Sequence, residues 1–497
     1  MSNGVDTCFM NPGTSEMHFV AALERVPRMR GMLCLFEGVC SSAADGYARV
    51  LGKPAATLLH LGPGLANGLA NFHNARKART PIVSIVGEHA TPHLKVDAPL
   101  TSDIQAFART VSKAVRTAAS PDDVGPAASE SVAAAWGPPG QVAMVIIPAD
   151  HSWSETSTVG SVIQPKRRTM PSDAAFDRAR QALNRPGTAI LLGGTSVNPT
   201  GLDAAARTGA RVMTARNVAK FVWGRGYAPH PQVPYFPEGA LPFLADVKQL
   251  ILVESEKPVS FFAYPNIPSY MVPDSCEIVQ LARRDEDGTA ALLELASGRP
   301  AITVDRSEPL SAALDDAPLT LDSLGQSIAA LLPEGALISD EMVSSAGKVF
   351  PLLEKAAPHE SMPICGGSIG QGMPLALGAA VAAPDRKVVC LESDGSGMYT
   401  LQALWTMARH NLNVTTVVFA NRRYRILDIE MKRTGANAVG DIANQMIDIG
   451  NPVLDWVKLS EACGVQATRA STAGEFSEQF ADALKHHGPR LIEAILL

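Results

Sequence analysis

A chain of 497 residues has room for about three domains at the usual ~150 residues each, which excludes a single small module. Apolar residues make up 46% and charged residues 19%, with 40 Gly and 36 Pro, so disordered, fibrous and coiled-coil classes are excluded as well. The net charge of -6 leaves no basic footprint for nucleic acid or an anionic membrane.

The first twenty residues include Asp6, Pro12, Gly13 and Glu16 and lack a basic start followed by an apolar core, so no secretory leader is expected. From Cys8 to His151, β-rich runs alternate with helical ones. GMLCLF (31–36), AATLLHL (55–61) and PIVSIVGE (81–88) read as buried parallel strands, and Leu65, Leu69 and Phe72 recur at helical spacing between two of them. Strict alternation implies βαβ units, here a first α/β domain over 1–158. The stretch 153–172 loses all periodicity and reads as a linker. A second α/β domain is expected over 172–310, with strands at TAILLGG, ARVMTA, KQLILVES and CEIVQLA. Its GGTSVNPTG turn is not GxGxxG and is weak ground for a bound dinucleotide. A second linker over 305–320 leads to a third α/β domain over 325–497, with strands at ALISD, KVVCLESD, VTTVVFAN, GVQATRA and PRLIEAIL. Seven cysteines (8, 34, 40, 276, 365, 390 and 463) are scattered without a CxxC pair, as expected of reduced core residues in a cytoplasmic protein. No run of ~18 apolar residues predicts a membrane span.

The segment 387–424 is the most informative. An apolar strand ends in Asp394, Gly395, Ser396 and Gly397 open a helix with Leu401, Leu404, Trp405 and Ala408 on one stripe, and a second strand ends in Asn421. One βαβ unit thus brings a carboxylate and a carboxamide to the same sheet edge. A helix start built of small residues can seat a phosphate, and hard oxygens beside a diphosphate suit Mg²⁺. Taken singly, Asp394 also reads as a helix cap and Asn421 as a turn residue.

This segment resembles the metal-binding signature of the thiamine-diphosphate-dependent 2-oxoacid enzymes, the family of acetolactate synthase and benzoylformate decarboxylase, with Ser393 and Ala420 as its two departures. The resemblance implies thiamine diphosphate and Mg²⁺ as cofactors. Asp394, Asn421 and the Arg423 carbonyl would ligate the metal, and Gly395, Ser396 and Tyr424 would meet the diphosphate. CGGSIGQGMPLALGAAVAAPDRKVV (365–389) resembles the family's glycine-rich turn, placing Ile369 as the wedge that bends the cofactor and the Gly367 and Ile369 backbones on its aminopyrimidine. Ser344, in ISDEMVSSAG, is a further candidate diphosphate contact.

In the first third, LFEGVCSSAADGYARVLGKPA (35–55) resembles the stretch that carries the family's catalytic glutamate, which makes Glu37 the catalytic acid. At the end of an apolar strand it is expected to be buried, a setting that raises a carboxyl pKa. His60, before GPGLAN, falls where benzoylformate decarboxylase has an active-site histidine; it also reads as a structural histidine at a strand end. Thr14, in NPGTSEM, falls near bound substrate. His89 and His93 read as exposed, and His73 as a surface or interface residue. Ile426 and Leu427 are expected at pocket positions favouring an apolar or small side chain. Arg422 and Arg425 read either as contacts for a second anionic group or as solvated.

The resemblance implies three doubly wound domains: pyrimidine-binding, central and diphosphate-binding. Cofactor would lie between the first domain of one subunit and the third of another, in a homodimer or homotetramer. No flavin signature is present, so FAD is not expected. The implied activity is decarboxylation of a 2-oxoacid, with or without ligation to a second carbonyl compound. Alternatives are a benzoylformate-type decarboxylase or aldehyde lyase, and a non-catalytic cofactor-binding homologue, against which the joint presence of Glu37, Asp394 and Asn421 argues.

Overall fold

The computed structural model describes residues 1–302, 304, 308–436 and 440–496. Three sheets, each flanked by helices, succeed one another along the chain. The first contains β1 (Thr7–Asn11), β2 (Arg30–Leu33), β3 (Ala55–Leu59), β4 (Ile82–Glu88), β5 (Ala114–Thr117) and β6 (Val142–Pro148). Its order is β2-β1-β3-β4-β6-β5, and every pair is parallel. β3 (AATLL) is buried along its whole length, the near-continuous apolar reading expected of a strand covered on both faces.

The second sheet uses β7 (Thr188–Leu192) and β8 (Arg211–Thr214), omits β9 (Phe221–Trp223), and continues with β10 (Gln249–Val253) and β11 (Glu277–Ala282), in the parallel order β11-β10-β7-β8. The third holds β12 (Leu337–Glu341), β13 (His359–Pro363), β14 (Val388–Ser393), β15 (Val414–Ala420), β16 (Gln466–Ala470) and β17 (Arg490–Ile495), in the order β16-β17-β15-β14-β12-β13-β9. β9 is its one antiparallel edge, paired with β13, so a strand from the central third of the chain completes the last sheet. The linker expected over 305–320 begins at 305–307, outside the described residues; its later part bridges Pro318 to Thr472.

Strand order fixes where a site can form. In the first sheet β1 connects to one side and β3 to the other, and in the third β12 and β14 do the same. Each reversal opens a crevice at the carboxyl ends of the two adjacent strands. The first and third sheets are joined through helix Glu37–Leu51 and helix Gly372–Ala382, which share one apolar core. Two glycines permit their crossing. A Cβ at Gly46 would lie 2.1 Å from the Leu375 carbonyl oxygen, and one at Gly378 only 1.9 Å from that of Ala43. The Asp45–Arg49 pair of the ADGYAR motif is buried at this crossing. Gln371 Nε2 donates to Asp45 at 2.6 Å, and Arg49 donates to the Pro363 and Ala219 carbonyls at 2.7 and 3.2 Å.

Two sequence expectations need correction. GMLCLF does not run as a strand into Glu37: β2 ends at Leu33, and Phe36, in extended conformation, caps the Glu37 helix. The helix expected after Gly397 is broken into a turn, Asp394–Gly397, and helix Ala403–Arg409. At the break the chain is packed closely against a distant helix: a Cβ at Gly397 would meet the Trp456 ring at 2.7 Å.

Candidate active site

The crevice of the first sheet gathers three segments. β1 runs into a turn, Thr14–Glu16; β3 runs into His60; and β2, next to β1, leads to Glu37 at the first position of its helix. Glu16 is 4% exposed, and its Oε2 accepts both the Gly13 N–H and a bond from His60 Nδ1, each at 2.8 Å. Burial pushes the Glu16 carboxyl above its ordinary pKa, partly offset by those two donors. With Nδ1 committed to Glu16, Nε2 is the His60 nitrogen free to exchange a proton. Glu37 faces the same space. Its Oε2 accepts from Asn67 Nδ2 at 3.0 Å, and a Cβ placed on Gly64 would come within 3.2 Å of its Oε1 and 3.6 Å of His60 Cβ. Glu37 is half-buried in the single chain rather than fully buried, because the segment before it leaves the sheet early. Thr14 is exposed on the rim.

The crevice of the third sheet gathers the other candidates. Asp394 follows β14 and is 3% exposed; its two oxygens accept the Gly395 and Arg422 N–H groups at 2.9 and 2.6 Å. Burial raises its pKa to about 6 despite those donors, a state that a cation would relieve. Asn421 follows β15, with Oδ1 accepting the Arg423 N–H at 2.9 Å. Arg422 turns the chain at φ 57°, so the Asp394 carboxylate and the Asn421 carboxamide meet on one turn, where the Arg423 carbonyl accepts the Arg425 N–H at 2.9 Å. This all-oxygen donor set fits a Mg²⁺ ion. It includes one carboxylate only, consistent with the absence, among the described residues, of any cluster of three His, Cys, Asp or Glu. Tyr424 lies over Gly395, where a Cβ would meet its ring at 2.5 Å, and Ser396 is buried beneath. The Arg423 side chain pairs with Asp428 at 2.5 Å; Arg425 is exposed.

The glycine-rich turn follows β13. Gly367 has φ 80° and an exposed backbone, and Ile369 is half-exposed, an accessible seat that fits a flat heterocycle. Asn74 holds this turn from the first sheet's side, donating to the Ser368 carbonyl at 2.7 Å and accepting the Ser368 N–H at 3.1 Å. His73 Nε2 lies 3.2 Å from the Gly366 carbonyl, so His73 is half-buried against the turn rather than on the surface. His89 is likewise half-buried, its ring edge-on to the exposed His93 at 5.5 Å. Ser344 is half-buried in the 3-10 turn Val343–Ser345, Ile426 is half-buried, and Leu427 is 43% exposed.

Sequence reasoning missed the carboxylates that support these segments. Glu341 accepts the N–H groups of Gly370 and Gln371 at 2.6 and 2.8 Å, and that of Gly372, at the start of helix Gly372–Ala382. Burial pushes Glu341 up to about 7, and burial beside Glu341 raises the neighbouring Glu392 carboxyl above its ordinary range as well. Glu16 lay inside the NPGTSEM motif, but its contact with His60 spans 44 positions and has no local signal. In the central third, the Gly193–Gly194 turn closes on Glu254, whose carboxylate accepts the Thr195 and Gly288 N–H groups and pairs with Arg168 at 3.2 Å.

Residues 1–109 match the family described as "Thiamine pyrophosphate enzyme, N-terminal TPP binding domain", and residues 349–494 match its "C-terminal TPP binding domain". These matches fall on the two crevices. A Mycobacterium tuberculosis protein named for a large subunit of acetolactate synthase, IlvX, is 47% identical over 505 residues, with 100% of this chain and 97% of that protein covered. The chain belongs to the thiamine pyrophosphate enzymes. Benzoylformate decarboxylase of Pseudomonas aeruginosa is 28% identical over 525 residues, covering 99% of this chain and 96% of its own. The same fold occurs in the thiamine diphosphate-dependent 4-hydroxybenzoylformate decarboxylase of Rhodococcus jostii RHA1, with TM-score 0.85 at 22% identity, 100% of this chain and 97% of that one being covered. Among the described residues of this thiamine pyrophosphate enzyme, no helix is long and apolar enough to cross a membrane.

Proposed function

We propose that this thiamine pyrophosphate enzyme decarboxylates a 2-oxoacid with Mg²⁺-bound thiamine diphosphate, acting in the manner of acetolactate synthase and benzoylformate decarboxylase. When bound, the cofactor supplies the electron sink that lets the bond to the carboxylate break. Asp394, Asn421 and the Arg423 carbonyl would hold the metal, and Ser344, Ser396 and Tyr424 would meet the diphosphate. Gly367 would offer its backbone to the aminopyrimidine, and Ile369 would pack against the cofactor between its two rings. Glu37 holds a proton at the aminopyrimidine ring nitrogen. His60, oriented by Glu16, delivers a proton to the substrate-derived carbon, or leaves it to a second carbonyl compound when ligation follows. Thr14 lines the substrate side.

The observation that carries this reading is the arrangement of carboxylates: Glu37 beside His60 at one strand-order reversal, and Asp394 beside Asn421 at the other. Glu37 and the metal turn are divided between two sheets of the chain, which supports a homodimer or homotetramer with the first sheet of one subunit facing the third of another. Seven free cysteines, six of them buried, suit a reducing cytoplasm. Exhaustive chelation and dialysis should abolish both turnover and retention of thiamine diphosphate, and Asp394→Ala should prevent retention even with Mg²⁺ restored. Full activity in protein shown by elemental analysis to be free of divalent metal would refute the assignment.

Aryl 2-oxoacids form the second reading, supported by the likeness to benzoylformate decarboxylase over 99% of this chain. Benzoylformate and pyruvate, offered in turn with products identified by mass, separate it from an acetolactate-forming activity.

A further inference from the structure

The loop between β10 and β11 is folded back on itself: Val259 and Tyr270 form an antiparallel bridge, and the Ser260 N–H donates to the Ser269 carbonyl at 2.8 Å. Its tip reaches out of the central sheet onto the glycine-rich turn. A Cβ placed on Gly367 would lie 2.5 Å from Phe261 Cζ, so the ring edge rests where this residue has no side chain. Any larger residue at 367 would displace it.

Two further contacts fix the tip. Phe261 packs against Tyr235 with ring centroids 5.1 Å apart and edge-on to Phe262 at 4.9 Å. Tyr264 Oη donates to the Glu430 carboxylate at 3.0 Å, and the Arg433 guanidinium covers Tyr264 at 4.5 Å and Phe236 at 4.1 Å. Glu430 and Arg433 belong to helix Arg425–Arg433, which starts directly after the metal turn. The loop is therefore tied to both sides of the third-sheet crevice.

Phe261 nonetheless remains 46% exposed and Phe262 54%, while Tyr399, which packs on Gly370, is 53% exposed. Scattered exposed apolar residues need no explanation, but aromatic rings gathered at one glycine turn form a patch that a ligand would cover. Resting on the cofactor-site reading of Gly367, we infer that Phe261 is a specificity-determining residue, an aromatic wall of the same cleft that favours a flat apolar side chain on the 2-oxoacid. A stacked or edge-on aromatic contact can discriminate an aryl from a methyl group by up to about tenfold.

The test uses the full-length protein loaded with thiamine diphosphate and Mg²⁺, with benzoate and acetate as unreactive carboxylates, read by calorimetry. Wild type should bind benzoate about tenfold more tightly than acetate; Phe261→Ala should remove most of that preference, and Phe261→Leu should keep part of it, with cofactor affinity unchanged throughout. A preference for benzoate that survives Phe261→Ala overturns the inference, as does its absence in cofactor-loaded wild type. An altered oligomeric mass by light scattering, with benzoate affinity unchanged, overturns it too, because the ring then serves a subunit contact. Failure of wild type to bind thiamine diphosphate at all would bring down the underlying site reading instead, and the inference with it.

Discussion

Glu37 and His60 flank Gly64, and each has its own support: Asn67 for Glu37, Glu16 for His60. Glu37→Gln keeps a hydrogen-bonding group of the same shape but loses the exchangeable proton. Turnover should fall at least ~10²-fold with cofactor affinity, read by calorimetry, nearly intact. For His60→Ala a loss of about 10²-fold in product formation is expected, with the melting temperature little changed because the ring is partly exposed. Single-turnover rates and melting curves on one preparation separate that outcome from a structural role. Glu16→Gln should cost less than His60→Ala, and the double variant no more than His60→Ala alone, since a group acting only through His60 has nothing left to position.

At the scale of single elements, β13 shows how a polar strand can be internal. HESMP has no apolar alternation, yet His359 is 2% exposed, and Glu360 pairs with Lys220 at 2.6 Å and Arg386 at 3.2 Å. The His359 ring donates Nδ1–H to the Ala357 carbonyl at 2.8 Å while Nε2 has no partner, and burial lowers its pKa to about 4. The unfolded chain takes up this proton below about pH 6.5 and the folded one only near 4. Protons therefore favour the unfolded state in that window: the neutral histidine costs nothing above about pH 7, and stability falls as pH drops from 6.5 to 4, by roughly 3 kcal/mol. Urea unfolding at several pH values should show a shallower acid-side loss in His359→Gln than in wild type. An unchanged slope would show that His359 does not contribute to acid sensitivity.

Across the whole molecule, the Asp45–Arg49 pair holds the first and third sheets at their glycine crossing and reaches the central third through the Ala219 carbonyl. Removing one member of a buried, hydrogen-bonded pair strands the other charge, at a cost of about 3–5 kcal/mol. Asp45→Ala should lower the urea midpoint accordingly, although neither residue is proposed to touch the reacting atoms. Turnover per folded molecule, measured well below the melting temperature, should fall much less than in Glu37→Gln. A full loss of turnover without a loss of stability would move Asp45 into the site itself.

The sequence by itself determined the α/β class, the strands whose apolar runs are buried on both faces, and the family, because the proposed metal-binding turn and the glycine-rich turn are local. Asp394, Gly395, Asn421 and Arg423 lie within 30 positions of one another in a single βαβ unit, and such spacing survives in one dimension. What the tertiary structure decided involves contacts without a local signature. β13 was illegible because its burial comes from pairing across the chain, not from apolar pattern, and β9, though apolar, is only three residues long and pairs with a strand 138 positions away. The break after Gly397 lies against Trp456 from a distant helix, and Glu37 is only half-covered where β2 ends early. Glu16 reaches His60, Asn74 reaches Ser368 and Phe261 reaches Gly367 across 44, 294 and 106 positions, respectively. Local periodicity records which face of an element is buried; only the packed sheets decide which distant side chain arrives to meet it.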